Sequence, residues 1–383
     1  MRVALVHDWL FQMRGGERVL EELVRLFPEA TVHVLFHRPG RLSPILEAVP
    51  KRASHLNRLP MVDHYYRYLL PLYPLAVRSL KVSSDADLVI SSSHCAAKAV
   101  PVPEGVPHVC YCHTPARYLW GHGSDYFGKA HGLLRPLLDR LRSWDLATSD
   151  TVTLFLANSH TVRDRIRAWY GRRAIVVPPP VDVEFYRPLG VGRESFFLAA
   201  SAFVPYKRLD LAIRACERLR RRLVVVGDGP ERRRLQRLAG RWTTFVGWVD
   251  ESELRRLYNR CRGLIFPALE DFGIIPVEAQ ACGAPVIAYG KGGATETVVP
   301  PEAGVQPTGV WFEEQTVESL CAAIERFERL ERWFDPAALR ANALRFSRHR
   351  FREAMKRVVT AVLNGRIERL FDGFAAAAVR RAA

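Results

Sequence analysis

Residues 264–293 read LIFPALEDFGIIPVEAQACGAPVIAYGKGG, and the fold class follows from them. Leu264 to Pro267 is a short apolar run with the length of a buried parallel strand. Glu270, Asp271, Phe272 and Gly273 follow as a loop. Pro276 suits the first turn of a helix, where its missing N–H costs nothing. Cys282-Gly283-Ala284-Pro285 then ends that helix with a glycine stop and a proline breaker. Val286 to Tyr289 reads as a second buried strand, after which Gly290, Gly292 and Gly293 turn the chain into another helix. Strand, loop, helix, strand and Gly-rich turn make half of a nucleotide-binding sheet, whose ligand lies beyond the carboxyl ends of the strands.

The charges in this stretch suggest the ligand. Glu270 sits just past a strand end, and Glu278 is expected in the first turn of the next helix. The backbone N–H groups of Phe272, Gly273 and Ile274 lead into that helix, whose N-terminus favours an anion such as a diphosphate. Gly273 lets the backbone approach a ligand closely. Two carboxylates flanking an anion-binding turn suit a ligand with hydroxyls on both sides of a phosphate, which describes a nucleotide-sugar. Alone, Glu278 reads equally well as a carboxylate stabilising a helix start, worth about 0.3–1 kcal/mol.

The wider pattern resembles family 4 of the glycosyltransferases, retaining enzymes of the GT-B architecture. Their donor-site signature places two glutamates with seven residues between them around a Phe-Gly pair. Here it stands as Glu270-Asp271-Phe272-Gly273-Ile274-Ile275-Pro276-Val277-Glu278, continued by ACGAPVIA and GGATETV. The resemblance implies that Glu270 holds the donor sugar hydroxyls and Glu278 the ribose. It is strongest over residues 264–297 and extends over 1 to about 362.

The 383-residue length is too great for one small core and predicts two domains of roughly 190 residues. The apolar and charged contents, 48% and 25%, are ordinary for a globular chain, but the formal net charge of +16 implies an anionic partner. Seven cysteines without framework spacing read as reduced buried thiols of a cytosolic protein. MRVALVHDW opens with a first strand rather than a signal peptide, and no stretch reaches the ~18 apolar residues that a membrane span needs. The expected location is cytoplasmic, with a peripheral position on the inner face of the membrane as an extension.

In the first half, Val3 to Val6 is strand one. Met13-Arg14-Gly15-Gly16-Glu17 then turns into an amphipathic helix with Val19, Leu20, Leu23 and Leu26 on one face. Gly15 and Gly16 permit close approach to a phosphate, and the resemblance sets this loop against the donor diphosphate. Thr31 to Phe36 makes a second strand. Residues 56–80 interleave tyrosines and leucines with Arg58, His64, Arg67 and Arg78. They read as a core helix pair broken at Pro71 and Pro74, or as a surface for an anionic membrane or a lipid-linked acceptor. Asp85-Ala86-Asp87 has the spacing of a metal-binding Asp-x-Asp, but it leads directly into Leu88-Val89-Ile90 and reads as a turn. Ser91-Ser92-Ser93-His94 ends that strand at the ligand edge. Val109 to Cys112 is a further strand, followed by His113-Thr114-Pro115-Ala116-Arg117-Tyr118-Leu119-Trp120, the concentration of polar handles that a cleft needs. The resemblance places a histidine beside the donor sugar here, which makes His113 the candidate; Arg117, Tyr118 and Trp120 are candidate acceptor contacts. Thr153 to Ala157 is the last strand, and Pro178-Pro179-Pro180 is a stiff segment at the domain boundary.

The second half restarts with a strand from Phe196 to Ala200. Lys207 and Arg208, at the following strand-to-helix junction, are candidates to clamp a diphosphate. The resemblance favours Lys207, but much of the family has an arginine five residues earlier, where this chain has Ala202. Leu223 to Val226 ends in Gly227-Asp228-Gly229-Pro230, and Phe245-Val246-Gly247-Trp248 ends the next strand. Gly227 and Val246 are the candidates beside the nucleotide base, as the resemblance implies. The basic runs 231–237 and 348–352 read as solvated faces, without the aromatic interleaving of a nucleic-acid groove. From about 312 the pattern is helical.

The expected architecture is α/β: two facing Rossmann-like doubly wound domains, 1–178 for the acceptor and 179–362 for the donor, with the active site in the interdomain cleft. Residues 344–362 are expected to cross back to the first domain, leaving 363–383 as a tail. The resemblance implies retaining transfer of a hexose, mannose from GDP-mannose by analogy with bacterial members, to a sugar or lipid-linked glycan acceptor in polysaccharide, O-antigen or glycolipid assembly. It implies neither a metal nor another cofactor, with Lys207, Glu270 and His113 as the catalytic set. A GT-B epimerase or phosphorylase shares the architecture, and a nucleic-acid-binding protein would account for the charge, although no nucleic acid is expected. A kinase reading of Asp271-Phe272-Gly273 fails, because no H-R-D loop precedes it.

Overall fold

The computed structural model describes residues 1–121 and 131–382. The chain divides into two compact units, one formed by Met1–Pro180 with Phe351–Ala383 and the other by Val181–Arg350. The first division falls at the end of the proline run, two residues after the expected boundary.

The first unit is built on a seven-stranded sheet in the order β3-β2-β1-β4-β5-β6-β7. Its strands are β1 Val3–Leu10, β2 Thr31–His37, β3 Lys51–Ala53, β4 Leu88–Ser93, β5 His108–Cys112, β6 Leu154–Ala157 and β7 Ala174–Val176. All pairings are parallel. Parallel strands are covered on both faces, which is why β1, β4, β5 and β6 read as near-continuous apolar runs. The helix Gly15–Leu26 buries Val19, Leu20, Leu23 and Val24 against one face. The helix Arg348–Leu363 adds Phe351, Met355, Val358 and Val362 to the same core.

Three features depart from expectation. Strand β1 runs on to Leu10, paired with His37, so His7 and Asp8 lie within the sheet rather than beyond it. Asp8 tolerates burial there because its carboxylate accepts four backbone N–H groups, from His94, Cys95, Ala96 and Ala97, at 2.6–3.0 Å. Residues 56–80 form four short helical turns instead of a helix pair, since prolines and tight turns recur every few residues. Tyr73 is buried among them while Tyr68 is 84% exposed. The segment expected as a tail contains the helix Ile367–Ala382, whose Ile367, Leu370, Phe371 and Phe374 pack on the first core at helical spacing. Asp87 accepts the Arg2 backbone N–H at 2.7 Å and Asp85 pairs with the Arg2 guanidinium, so Asp-x-Asp stitches a turn.

The second unit carries a six-stranded parallel sheet in the order β10-β9-β8-β11-β12-β13. Its strands are β8 Phe197–Ala200, β9 Leu223–Val226, β10 Thr243–Gly247, β11 Gly263–Phe266, β12 Val286–Tyr289 and β13 Gly309–Phe312. Separate apolar cores fill its two faces. Strand β13 was not anticipated: Gly309 pairs beside Val286, where a Cβ would lie 2.0 Å from the Val286 carbonyl oxygen. Both sheets reverse strand order once, between β1 and β4 in the first and between β8 and β11 in the second. These are the switch points at which doubly wound sheets bind ligands. All seven cysteines are buried and free. Among the described residues no helix is long and apolar enough to cross a membrane.

Candidate functional site

In the second unit the two strands that flank the switch point each deliver one charged side chain. Lys207 ends the short turn Pro205–Lys207 after β8, and Glu270 lies in the loop after β11. Their ammonium and carboxylate form an ion pair with little solvent exposure. Two of the three members of the expected catalytic set therefore meet, although 62 residues lie between them in the chain. Arg208 adopts a left-handed backbone conformation, φ +52°. Its guanidinium donates to Asp210 at 3.2 Å and to the Gln315 carbonyl at 3.4 Å. Its charge is therefore engaged at the start of the helix Leu209–Leu219, whereas Lys207 turns its charge to Glu270.

The loop after β11 is shaped by glycine. Gly273, at φ +86°, opens the helix Ile274–Ala281, so its amide and that of Ile274 stand at a helix N-terminus. The turn after β12 lies directly on this loop: the Gly293 N–H donates to the Glu270 carbonyl at 2.8 Å. A Cβ on Gly293 would come within 2.2 Å of the Phe272 Cα, so no larger residue permits the contact. Phe272 itself turns inward, its ring 5.3 Å from that of Phe346, which leaves its backbone rather than its side chain for a ligand.

Glu278 is the fifth residue of its helix, one turn later than expected, because the helix already begins at Ile274. It is 3% exposed and accepts the Tyr258 hydroxyl at 3.2 Å. Burial, and next the Glu278 charge, push the Tyr258 phenol far above its ordinary range and keep it a donor. Gly227 follows β9 and donates its N–H to the Gly247 carbonyl at 2.8 Å, tying together the turns after β9 and β10. Val246 is exposed beside that link, as is Trp248.

In the first unit His113 follows β5 and lies half-buried, its Nε2 2.8 Å from Ser92 Oγ on β4. On its other side Ser92 meets His7 of β1, with Nδ1 at 3.1 Å. His94 closes the group with Nδ1 3.1 Å from Asp8 Oδ2. Burial first, and then the neighbouring His94 and His7, hold the His113 imidazole well below its usual pKa, so it is neutral at pH 7. His7, Asp8, Ser92 and His94 were not singled out from the sequence; the run Ser91-Ser92-Ser93-His94 at a strand end was the available signal. Gly15 and Gly16 are the first residues of their helix, and a Cβ on Gly16 would touch His7 and His113 at 3.4–3.6 Å.

Arg117 and Tyr118 sit half-buried in the loop after β5. Trp120 is anchored there: its indole N–H donates to Asp145 at 2.6 Å, and its ring stacks on Trp169. Asp145 also accepts the Tyr170 hydroxyl at 2.8 Å and pairs with buried Lys98 at 3.0 Å. Among the described residues no cluster of three or more His, Cys, Asp or Glu side chains is arranged to hold a metal ion.

The sequence matches two family descriptions: "Glycosyltransferase Family 4" over residues 13–185 and "Glycosyl transferases group 1" over residues 187–346. The GDP-mannose-dependent alpha-(1-6)-phosphatidylinositol monomannoside mannosyltransferase of Mycolicibacterium smegmatis is 31% identical over 192 residues, 42% of this chain and 50% of that protein. The O-antigen chain mannosyltransferase C of Escherichia coli is 33% identical over 184 residues, 43% of this chain and 47% of that protein. The chain thus spans about half the length of these curated relatives. The solved structure of Anabaena Alr3699/HepE in complex with UDP superposes with a TM-score of 0.70 at 17% identity, covering 94% of this chain and all of that one. That likeness shows the fold, the pair of Rossmann-like parallel sheets of the GT-B class. The two family matches adjoin and together take in most of the sequence, and the chain belongs to the glycosyltransferases, Family 4 over its first unit and group 1 over its second.

Proposed function

We propose that this protein transfers a hexose from a nucleotide-sugar to an acceptor hydroxyl with retention of configuration, the donor being GDP-mannose and the acceptor a sugar or lipid-linked glycan in polysaccharide, O-antigen or glycolipid assembly. The observation that carries the reading is the convergence of Lys207 and Glu270 at the switch point of the second sheet, over a helix N-terminus that leads to Glu278. On this reading the Gly273 and Ile274 amides and Lys207 receive the diphosphate, and Glu270 exchanges its lysine for sugar hydroxyls. Glu278 holds the ribose, and the turns at Gly227 and Val246 flank the base. In the first unit Gly15 and Gly16 serve the diphosphate, His113 the transferred sugar, and Arg117 and Tyr118 the acceptor.

The chemistry asked of the protein is electrostatic. As the glycosidic bond breaks, negative charge grows on the departing diphosphate, and Lys207 and the helix N-termini stabilise it without moving. The departing oxygen takes the acceptor proton, so no side-chain base is assigned, and neither is a metal or other cofactor. Mannose is favoured by the mannosyltransferases among the relatives. The exposed Met61, Tyr68, Leu72 and Leu75 beside Arg58, Arg67 and Arg78 support a peripheral position on an anionic membrane surface.

The deciding experiment is a thermal-shift panel of GDP- and UDP-sugars, followed by product analysis. GDP-mannose should raise the melting point by the amount that mass action requires, and Glu278→Gln, which keeps the packing, should remove the shift. Absence of a shift with every nucleotide-sugar would refute the proposal, and stabilisation by UDP-sugars alone would replace the donor.

A further inference from the structure

The first unit brings Glu17, His7, Ser92 and His113 together in succession, and with one proton on each imidazole the hydrogen bonds along them have one consistent arrangement once Glu17 is taken into account. Ser92 Oγ lies 3.1 Å from His7 Nδ1 and 2.8 Å from His113 Nε2. A hydroxyl has one proton, so between two neutral imidazoles it donates to one ring and accepts from the other. Two arrangements satisfy it. Either Ser92 donates to His7 and accepts from His113, or the reverse.

The far side of His7 decides between them. The ring is 0% exposed, and its Nε2 is buried with no hydrogen-bond partner among the described residues. The acidic oxygen Glu17 Oε1 faces it at 4.0 Å. Glu17 cannot swing away freely, because its Oε2 accepts the Arg14 backbone N–H at 3.0 Å at the start of the helix. An N–H pointed at a carboxylate in a buried site is attracted, whereas a nitrogen lone pair pointed at it is repelled. The proton of His7 therefore stays on Nε2, and Nδ1 presents its lone pair to Ser92. Ser92 then donates to His7, and its own lone pair is left for His113, which must donate from Nε2.

We propose that Glu17, His7 and Ser92 are positioning residues that hold His113 in the Nε2–H tautomer, with Nδ1 kept as a hydrogen-bond acceptor for a hydroxyl of the bound sugar. The sugar part rests on the role given to His113 above; the tautomer part does not. A ring free to exchange tautomers would present an acceptor only part of the time. The relay removes that choice, and does so from within the sheet, where β1, β4 and β5 are neighbours and leave it no freedom to drift.

The test is long-range ¹⁵N–¹H NMR of the histidine rings in the full-length protein at pH 8, where an imidazole of ordinary pKa is neutral. His113→Gln identifies the His113 signals by their loss. The expected wild-type spectrum shows His113 protonated on Nε2 and bare on Nδ1. Ser92→Ala should move both nitrogen shifts toward a tautomer average, and the isosteric Glu17→Gln, which retains the Arg14 contact, should do so in part. In assays Ser92→Ala should lower kcat/KM about tenfold, through the donor KM more than through kcat, and the melting point should also fall, since both rings lose their shared buried partner. A wild-type His113 protonated on Nδ1, or a spectrum unchanged by Ser92→Ala, would overturn the proposal. The expected spectrum with full activity in His113→Gln would instead overturn only the sugar contact.

Discussion

Replacing Lys207 by alanine separates what the Lys207–Glu270 pair does for the free protein from what it does for the donor. The pair is largely withdrawn from solvent, with side-chain exposures of 14% and 19%. Removing the lysine leaves the Glu270 carboxylate without its cation in that setting, at a cost of about 1–3 kcal/mol. For a unit of this size each kcal/mol corresponds to a melting-point fall of roughly 2–4 °C. Donor binding loses a charge-assisted hydrogen bond to the diphosphate worth about 1.5–3 kcal/mol, or roughly 10- to 150-fold in kcat/KM. Adding Glu270→Gln to Lys207→Ala removes the orphaned charge as well. The double variant should therefore recover most of the lost melting temperature and none of the lost donor affinity. The assay is a thermal melt with and without GDP-mannose, beside steady-state transfer kinetics. If Lys207→Ala keeps donor affinity within about twofold, the assignment of Lys207 to the diphosphate fails; if the double variant melts no higher than the single one, the account of the orphaned Glu270 charge fails.

The remaining predictions concern the glycine loop, pH and the membrane. Gly293→Ala sets a Cβ against the Phe272 backbone and should push the 270–273 loop out of place; donor binding measured by calorimetry should fall at least tenfold, whereas Gly292→Ala would also press on the Glu270 carbonyl. His33 and His108 are held neutral, with pKa values lowered to about 4 and about 3, first by burial and then by Arg52 and Lys98 respectively. Their unfolded values lie near 6.5, so below that pH the unfolded chain binds more protons, and the stability they contribute is full above about 6.5 and declines as pH falls toward 4 and 3. Urea midpoints should follow that slope, His33→Gln should flatten it, and a flat wild-type profile would contradict the assignment. Co-sedimentation with phosphatidylserine vesicles should drop when Tyr68→Ser and Leu75→Ser are combined and should weaken with added salt; equal recovery with neutral vesicles would argue against an anionic surface.

Much of the second sheet was legible because its signals are local. Apolar runs of strand length, a proline suited to a first turn, a permissive Gly273 and a glycine stop at Gly283 act on neighbours in the chain, and β11, the helix Ile274–Ala281 and β12 lie where those residues place them. What failed was equally physical. Strand β1 was read too short because an aspartate and a histidine normally end a buried run. The four amides that solvate Asp8 come from residues 94–97, and no nearby residue announces them. Strand β13 goes unread just ahead of the helical region expected from about 312, since Gly309-Val-Trp-Phe is too short to declare a period, and its place is set by the narrow gap beside Val286.

The sequence alone determined the kinds of element, the class of sheet and the donor signature, because these rest on backbone preference and on the burial of contiguous side chains. Only the tertiary structure decided which residues meet. Lys207 faces Glu270 because β8 lies next to β11, and His7 reaches Ser92 and then His113 because β1, β4 and β5 are consecutive neighbours. Strand order is settled by packing across the whole unit, and contacts of that range leave no mark on the residues beside them in the chain.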